Sequence, residues 1–201
     1  MAVLVGRKAP DFTAAAVTGT GEIVENFTLS EEIKGQKAVL FFYPLDFTFV
    51  CPSELIAFDK RLAEFEERGV KVIGCSIDSQ FSHNAWRNTA VESGGIGAVK
   101  YPLVADVKHE IVKAYDIEHP EAGVAFRASF LIDEEGNVRH QVVNDLPLGR
   151  NIDEMLRMVD ALLFHEEHGE VCPAGWNKGD EGMKADAKGV ADYLSKNQAK
   201  L

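Results

Sequence analysis

Cysteine is scarce in this chain: three among 201 residues, at positions 51, 75 and 172. So small and odd a number does not make the disulfide framework of a secreted protein. No two of the three lie close together, which disfavours a structural zinc site. Cys51 is followed by Pro52-Ser53-Glu54 rather than by a second cysteine two residues on, which disfavours a general dithiol oxidoreductase. Positive charge is also short. Lys and Arg total 21 against 32 Asp and Glu, for a net charge of −11. With no basic stripe, that balance argues against binding to a phosphate backbone. No apolar run reaches transmembrane length, and Met1 to Phe12 shows no charged segment followed by a long apolar stretch. The expected setting is the reducing cytoplasm, away from membrane and nucleic acid.

What is present is ordinary for a globular protein: 46% hydrophobic and 26% charged residues. The length suits one domain with a sizeable core, plus an appendage. Strand and helix patterns alternate along it. Glu22 to Leu29 reads as a strand paired with Phe12 to Val17 across Thr18-Gly19-Thr20-Gly21. Ala38 to Tyr43 is apolar on both faces, as a central strand would be. From Pro52, apolar residues at 55, 58, 62 and 65 mark one helix closed by Gly69. Val70 to Ile77 is a second buried strand. Helices are expected from Ser82 to about Glu92, ended by Gly94-Gly95, and from His109 to Tyr115. Phe126 to Ile132 and Val138 to Val143 flank the hairpin signal Asp133 to Asn137. Asn151 and Glu154 resemble a capping box opening a helix through about His168. The remainder, rich in Lys, Asp and Gly, reads as a surface arm. The division is therefore a domain over 1–168 and an arm over 169–201.

Cys51 carries the most information. It lies where an apolar strand gives way to a helix start, and the unpaired N–H groups and positive dipole there favour a thiolate. Pro52 suits a helix start, and Glu54 stands where a capping carboxylate would. Cys75 sits in mid-strand and reads as a packed, inert thiol. Cys172 follows a helix end and has no core-like periodicity. Arg127 interrupts an otherwise apolar strand, so its guanidinium must be paired in a salt bridge or face an anion. Thr48 and Pro44 by themselves are an ordinary loop hydroxyl and strand terminator. His83, His109, His119, His140, His165 and His168 are scattered and read as surface or satisfied core residues.

Together, Pro44-x-x-x-Thr48-x-x-Cys51 with Arg127 far along the chain resembles the active-site signature of the peroxiredoxins. The longer run Phe41 to Pro52 matches it closely. Val143 to Arg150 and His168 to Trp176 resemble the typical two-cysteine branch. The resemblance runs from about Val5 to Tyr193. It implies an α/β, thioredoxin-like fold, a central mixed sheet flanked by helices, with no cofactor or metal. It implies Cys51 as peroxidatic and Cys172 as resolving cysteine, the latter from the second subunit of a head-to-tail homodimer. Thr48, Arg127 and the Cys51 N–H would donate to the peroxide and Pro44 would exclude water. Glu54, which would either orient Arg127 or accept a hydrogen bond when the site is closed, is a supporting residue with Arg150. In this branch five dimers form a ring.

The reaction expected is reduction of hydrogen peroxide and small alkyl hydroperoxides through a Cys51 sulfenic acid and an intersubunit Cys51–Cys172 disulfide. Thioredoxin or a flavoprotein disulfide reductase would supply electrons. In general, lowering a thiol pKa from about 8.5 to about 6 raises the thiolate fraction at pH 7 from roughly 3% to roughly 90%. That gain of about thirtyfold is too small for a fast peroxidase, so alignment and charge stabilisation must do the rest. Gly94-Gly95-Ile96-Gly97 and Tyr193-Leu194 resemble paired motifs linked to overoxidation, with Leu194 where sensitive members usually carry Phe. A redox-switched holdase chaperone is the alternative reading of the same assembly.

Overall fold

The computed structural model describes residues 3–200. The chain forms two compact units, one ending at Ile152 and one beginning at Asp153.

The first unit is built on a seven-stranded mixed sheet. In chain order its elements are β1 (Thr13–Val17), β2 (Ile23–Thr28), α1 (Leu29–Glu32), β3 (Lys37–Phe42), α2 (Cys51–Lys60), α3 (Leu62–Glu67), β4 (Val70–Ser76) and α4 (Gln80–Arg87). These are followed by β5 (Leu103–Ala105), α5 (Glu110–Ala114), β6 (Arg127–Ile132) and β7 (Val138–Asn144). The strand order is β2-β1-β5-β4-β3-β6-β7. β3, β4 and β5 run parallel, while β1–β2, β1–β5, β3–β6 and β6–β7 pair antiparallel.

The buried strands are central, as their apolar runs require. All six residues of β3 are buried, and its alternating side chains feed two cores. On one face, Phe42 packs edge-on against Phe130 and near Tyr115. On the other, Phe41 stacks on Phe58 of α2 at 4.2 Å and meets Tyr101 edge-on. The β1–β2 and β6–β7 hairpins form where the sequence predicts them. Gly136 closes the second with φ +82°.

Several boundaries differ from the sequence reading. The helix expected from Pro52 to Gly69 is two helices. Around Arg61 the backbone tightens into i→i−3 hydrogen bonds, Arg61 N to Phe58 O and Glu64 N to Arg61 O, which interrupts the ladder. Cys51 itself is the first residue of α2. The helix read from Ser82 begins at Gln80, because Ser79 caps it through the Ser82 N–H. It stops at Arg87, followed by a 3₁₀ turn at Val91–Ser93. β5 was not expected at all: three residues are too few for a periodic signal, although this strand joins the parallel core to the β1–β2 hairpin.

The second unit contains most of α6 (Ile152–His168), and α7 (Ala187–Asn197). Between them Trp176 is buried against Phe164, ring centroids 4.9 Å apart, and Arg157 donates to the Trp176 carbonyl at 2.7 Å. Val171 and Met183 pair as an isolated bridge. α7 falls in the segment whose composition suggested only an arm; Asp186 caps it by accepting from Gly189 N.

The aromatic core predicts a large truncation cost. Phe130→Ala, which leaves a void facing Phe42 and Tyr115, should lower stability by about 3–5 kcal/mol, read from urea unfolding of the reduced protein.

Candidate active site

The loop from Pro44 to Val50 leaves the end of β3 and delivers the chain into α2. Cys51, at the head of that helix, is fully buried. The Thr48 hydroxyl lies 2.9 Å from Cys51 Sγ and 2.8 Å from the Leu45 carbonyl. A hydroxyl has one hydrogen, so these two acceptors compete for it. Facing a thiolate, Thr48 donates to sulfur; facing a thiol, it can accept from S–H while bonding Leu45. Thr48 is half-buried and Pro44 buried, both on the loop that covers the sulfur.

Arg127, the first residue of β6, reaches the same sulfur: its Nη1 lies 3.3 Å from Cys51 Sγ. The same nitrogen is 2.8 Å from Glu54 Oε2, and its Nε donates to the Leu146 carbonyl at 2.6 Å. Both readings of Arg127 are thus combined, since it is salt-bridged and it faces the sulfur. Glu54 is buried one helical turn beyond Cys51 and makes no capping bond at the start of α2. Its other oxygen, Oε1, accepts from the Arg150 backbone N–H at 2.9 Å and from Arg150 Nε at 2.8 Å. Glu54 is engaged instead by the guanidinium of Arg127 and by the backbone and side chain of Arg150.

Arg150 in turn donates through Nη1 to the carbonyls of Phe42 and Ala128 and to Ser129 Oγ. Its guanidinium carbon lies 5.3 Å from the centre of the Phe41 ring, a cation–π arrangement. It therefore ties the ends of β3 and β6 to the first turn of α2. Among these groups Arg127 and Arg150 carry two positive charges and Glu54 one negative. A Cys51 thiolate would bring that buried set to neutrality, whereas a thiol leaves one cation uncompensated.

Cys75 is buried in β4, and burial together with Asp106 pushes its thiol well above the ordinary 9.0. It is an inert core residue, as its mid-strand position suggests. Cys172 lies in the second unit, half-buried, with Sγ 3.5 Å from the Ala161 carbonyl. Burial raises its thiol pKa and the charge of Arg157 partly opposes this. All three cysteines are free. Among the described residues no cluster of three or more His, Cys, Asp or Glu is arranged to hold a metal ion.

The family model described as AhpC/TSA matches residues 5–141. This chain belongs to the AhpC/TSA family. A second model, the C-terminal domain of 1-Cys peroxiredoxin, matches residues 161–196. The chain is 61% identical over 193 residues to alkyl hydroperoxide reductase C of Buchnera aphidicola from Schizaphis graminum, covering 96% of this chain and 98% of that protein. It is 60% identical over 199 residues to alkyl hydroperoxide reductase C of Helicobacter pylori, covering 99% of this chain and all of that protein. The crystal structure of reduced 2-Cys peroxiredoxin from Plasmodium vivax superimposes with a TM-score of 0.93 at 47% identity, over 96% of this chain and 100% of that one. The sheet and its flanking helices are accordingly the thioredoxin-like fold of the AhpC/TSA family.

The sequence reading missed a polar network on the buried side of the Pro44–Val50 loop. Asp46, 6% exposed, accepts from Tyr43 OH at 2.9 Å and Ser82 Oγ at 2.8 Å, and lies 2.8 Å from His83 Nδ1. Asp46 lies inside the matched motif, and His83, one of six histidines expected at the surface or satisfied in the core, is satisfied in the core. Only the fold brings them together, across 37 positions of chain. The Leu146 carbonyl is a backbone group and left no signal in residue types.

Glu54 gives this AhpC/TSA member a defined acid response. Burial pushes its carboxyl up, but the charge and hydrogen bonds of Arg150, aided by the charge of Arg127, outweigh burial and hold it below the ordinary 4.5. A carboxylate so held stabilises the folded state above its unfolded pKa, and that stability is lost as pH falls through the folded value. Glu54→Gln should cost about 3–5 kcal/mol at pH 7. Urea unfolding below about pH 4.5 should show wild type losing stability more steeply than this variant.

Proposed function

We propose that this protein is a thiol-dependent peroxidase that reduces hydrogen peroxide and small alkyl hydroperoxides through Cys51. The observation that carries the reading is the buried Cys51 sulfur with two donors aimed at it, the Thr48 hydroxyl at 2.9 Å and Arg127 Nη1 at 3.3 Å. Relatives named alkyl hydroperoxide reductase C and 2-Cys peroxiredoxin support the same chemistry.

In the first step the Cys51 thiolate attacks one peroxide oxygen. An S–O bond forms and the O–O bond breaks; sulfur is oxidised by two electrons and the peroxide is reduced. The displaced alkoxide or hydroxide takes a proton and leaves as alcohol or water. Thr48 and Arg127 serve as donors that hold the peroxide in line with sulfur and stabilise the negative charge developing on the leaving oxygen. Glu54 and Arg150 support this by fixing Arg127, and Pro44 shields the pocket from water.

The product sulfenic acid then condenses with the Cys172 thiol of the second subunit, releasing water and forming a disulfide. A disulfide needs Cα atoms about 5.5 Å apart, and Cys51 is wholly buried at the head of α2. The first turn of α2 must therefore open before any partner sulfur reaches it. A dithiol donor, thioredoxin or a flavoprotein disulfide reductase, restores both thiols. The division that fits this cycle is a thioredoxin-like peroxidase domain over 1–168 and a resolving arm over 169–201. The assembly is a head-to-tail dimer, five of which form a ring, and its setting is the cytoplasm. No described helix is long and apolar enough to cross a membrane. Neither the geometry nor the relatives' names support the holdase reading.

Stopped-flow reaction with hydrogen peroxide tests the assignment. Cys51→Ser should abolish the first turnover, and Cys172→Ser should retain it while losing disulfide formation and sustained turnover. Thr48→Val should slow the first turnover by about 10²–10³, the effect expected for loss of a transition-state donor. Rapid reaction retained in Cys51→Ser would overturn the reading.

A further inference from the structure

The hydrogen bonds of the buried network around His83 do not include the Cys51 sulfur, yet the network is tied to the loop that carries Thr48. Asp46 is held on every side. Oδ1 accepts from Tyr43 OH, Oδ2 accepts from Ser82 Oγ and faces His83 Nδ1, and the Asp46 backbone N–H donates to Asp78 Oδ2 at 2.9 Å. Asp78 in turn accepts from Ser76 Oγ at the end of β4. His83 is fully buried in α4, with Nε2 3.1 Å from the Val104 carbonyl of β5. Tyr43 OH also lies 3.3 Å from Nδ1. The Asp46 carboxylate is thus held by Tyr43, just past β3, and by Ser82 and His83 of α4, while Asp78 and Val104 link the network to β4 and β5.

Hydrogen-bond valence decides the protons. The Val104 carbonyl can only accept, so Nε2 carries hydrogen. Burial and the neighbouring Asp46 push the Tyr43 hydroxyl well above its ordinary 10.0, so it remains a donor. With Tyr43 and Ser82 both donating to the carboxylate, the short contact between Oδ2 and Nδ1 needs one further proton between those two atoms. Without it, a lone pair would face a carboxylate oxygen at 2.8 Å.

The residue after Asp46 shows what the clamp holds. Phe47 has φ +53°, a left-handed conformation uncommon for a bulky residue. Its half-exposed ring lies 5.8 Å from that of Trp86, one helical turn beyond His83. Thr48 comes next. A strained residue persists only where its surroundings over-determine it, and the fixed points here are Asp46 before it and the Thr48 contacts with Leu45 and Cys51 after it.

We propose that Asp46 and His83 form a positioning pair which, through the proton they share, holds Phe47 in its left-handed conformation and so sets the Thr48 hydroxyl on the Cys51 sulfur. The pair is a positioning device and takes no part in bond making. It rests on the peroxidase reading above.

Two polar substitutions separate its halves. In His83→Asn the amide can replace Nδ1 as donor to Asp46 but cannot reach Val104. In His83→Gln the amide can replace Nε2 at Val104 but abandons Asp46. The second-order rate constant of the first peroxide turnover should stay within about threefold of wild type in His83→Asn and fall about tenfold or more in His83→Gln, the scale of a small misplacement of a reacting group. Adding Thr48→Val should remove the difference: His83→Gln should slow that variant no further. Tyr43→Phe, which keeps the ring and removes one donor to Asp46, should show a smaller loss that likewise vanishes beside Thr48→Val. Nitrogen NMR should show Nε2 of His83 protonated. A wild-type rate in both His83→Gln and Tyr43→Phe, equal losses in Asn and Gln variants, losses that add to that of Thr48→Val, or a bare Nε2 would each overturn the proposal. Failure of the peroxidase reading would look different, since wild type itself would then show no fast turnover.

Discussion

The Glu54 carboxylate sits between two buried guanidiniums, and the geometry of the site follows from that arrangement. An isolated carboxylate or guanidinium buried this deeply would be strongly unfavourable, so none of the three residues is stable there without the others. Glu54 fixes the orientation of Arg127 toward the sulfur. Arg150 anchors Glu54 to the ends of β3 and β6 through the Phe42 and Ala128 carbonyls. The first turn of α2 is thereby attached to the sheet by charge rather than by apolar packing alone.

That attachment has two consequences for the chemistry. Arg127, oriented by Glu54, faces the sulfur as a donor, and the same bonds hold the turn that keeps the sulfur fully buried. Opening the first turn of α2 separates Cys51 from its donors, and Glu54 sits on that same turn. The proposed cycle therefore alternates between a closed site that suits attack on peroxide and an open one that suits disulfide exchange. The cost of opening includes whatever fraction of the Glu54 interactions must loosen, which makes the arginine pair a determinant of both steps.

Around this centre the loop from Pro44 to Val50 is held on both sides. Thr48 bonds the Leu45 carbonyl and the sulfur, while Asp46 is bound on the far side by Tyr43, Ser82 and His83. The tightly packed turn at Gly94 and Gly95 adjoins this region through Trp86, whose indole N–H donates to the Gly94 carbonyl. A Cβ on Gly95 would fall 1.9 Å from the Thr89 carbonyl oxygen, so glycine there answers to close packing rather than to flexibility.

Much of this protein was legible from residue order. Apolar runs marked β3 and β4 as central because strands buried on both faces need no alternation. Turn residues marked both hairpins, because Gly and Asn at fixed positions are what such turns require. Cys51 at a strand-to-helix junction, Arg127 inside an apolar strand and Thr48 in the matched motif pointed to the site, since each is a residue type that its local setting does not otherwise explain. What only tertiary structure decided is which groups meet. Glu54 reads locally as a helix cap and, by resemblance, as a candidate partner of Arg127; the fold pairs it with Arg127 and also with Arg150, 73 and 96 residues away. β5 was invisible because three residues carry no period, and the composition around α7, rich in Lys, Asp and Gly, marked only an arm. His83 read as one histidine among six, because a buried network exists only once α4, β5 and the Pro44–Val50 loop are packed together.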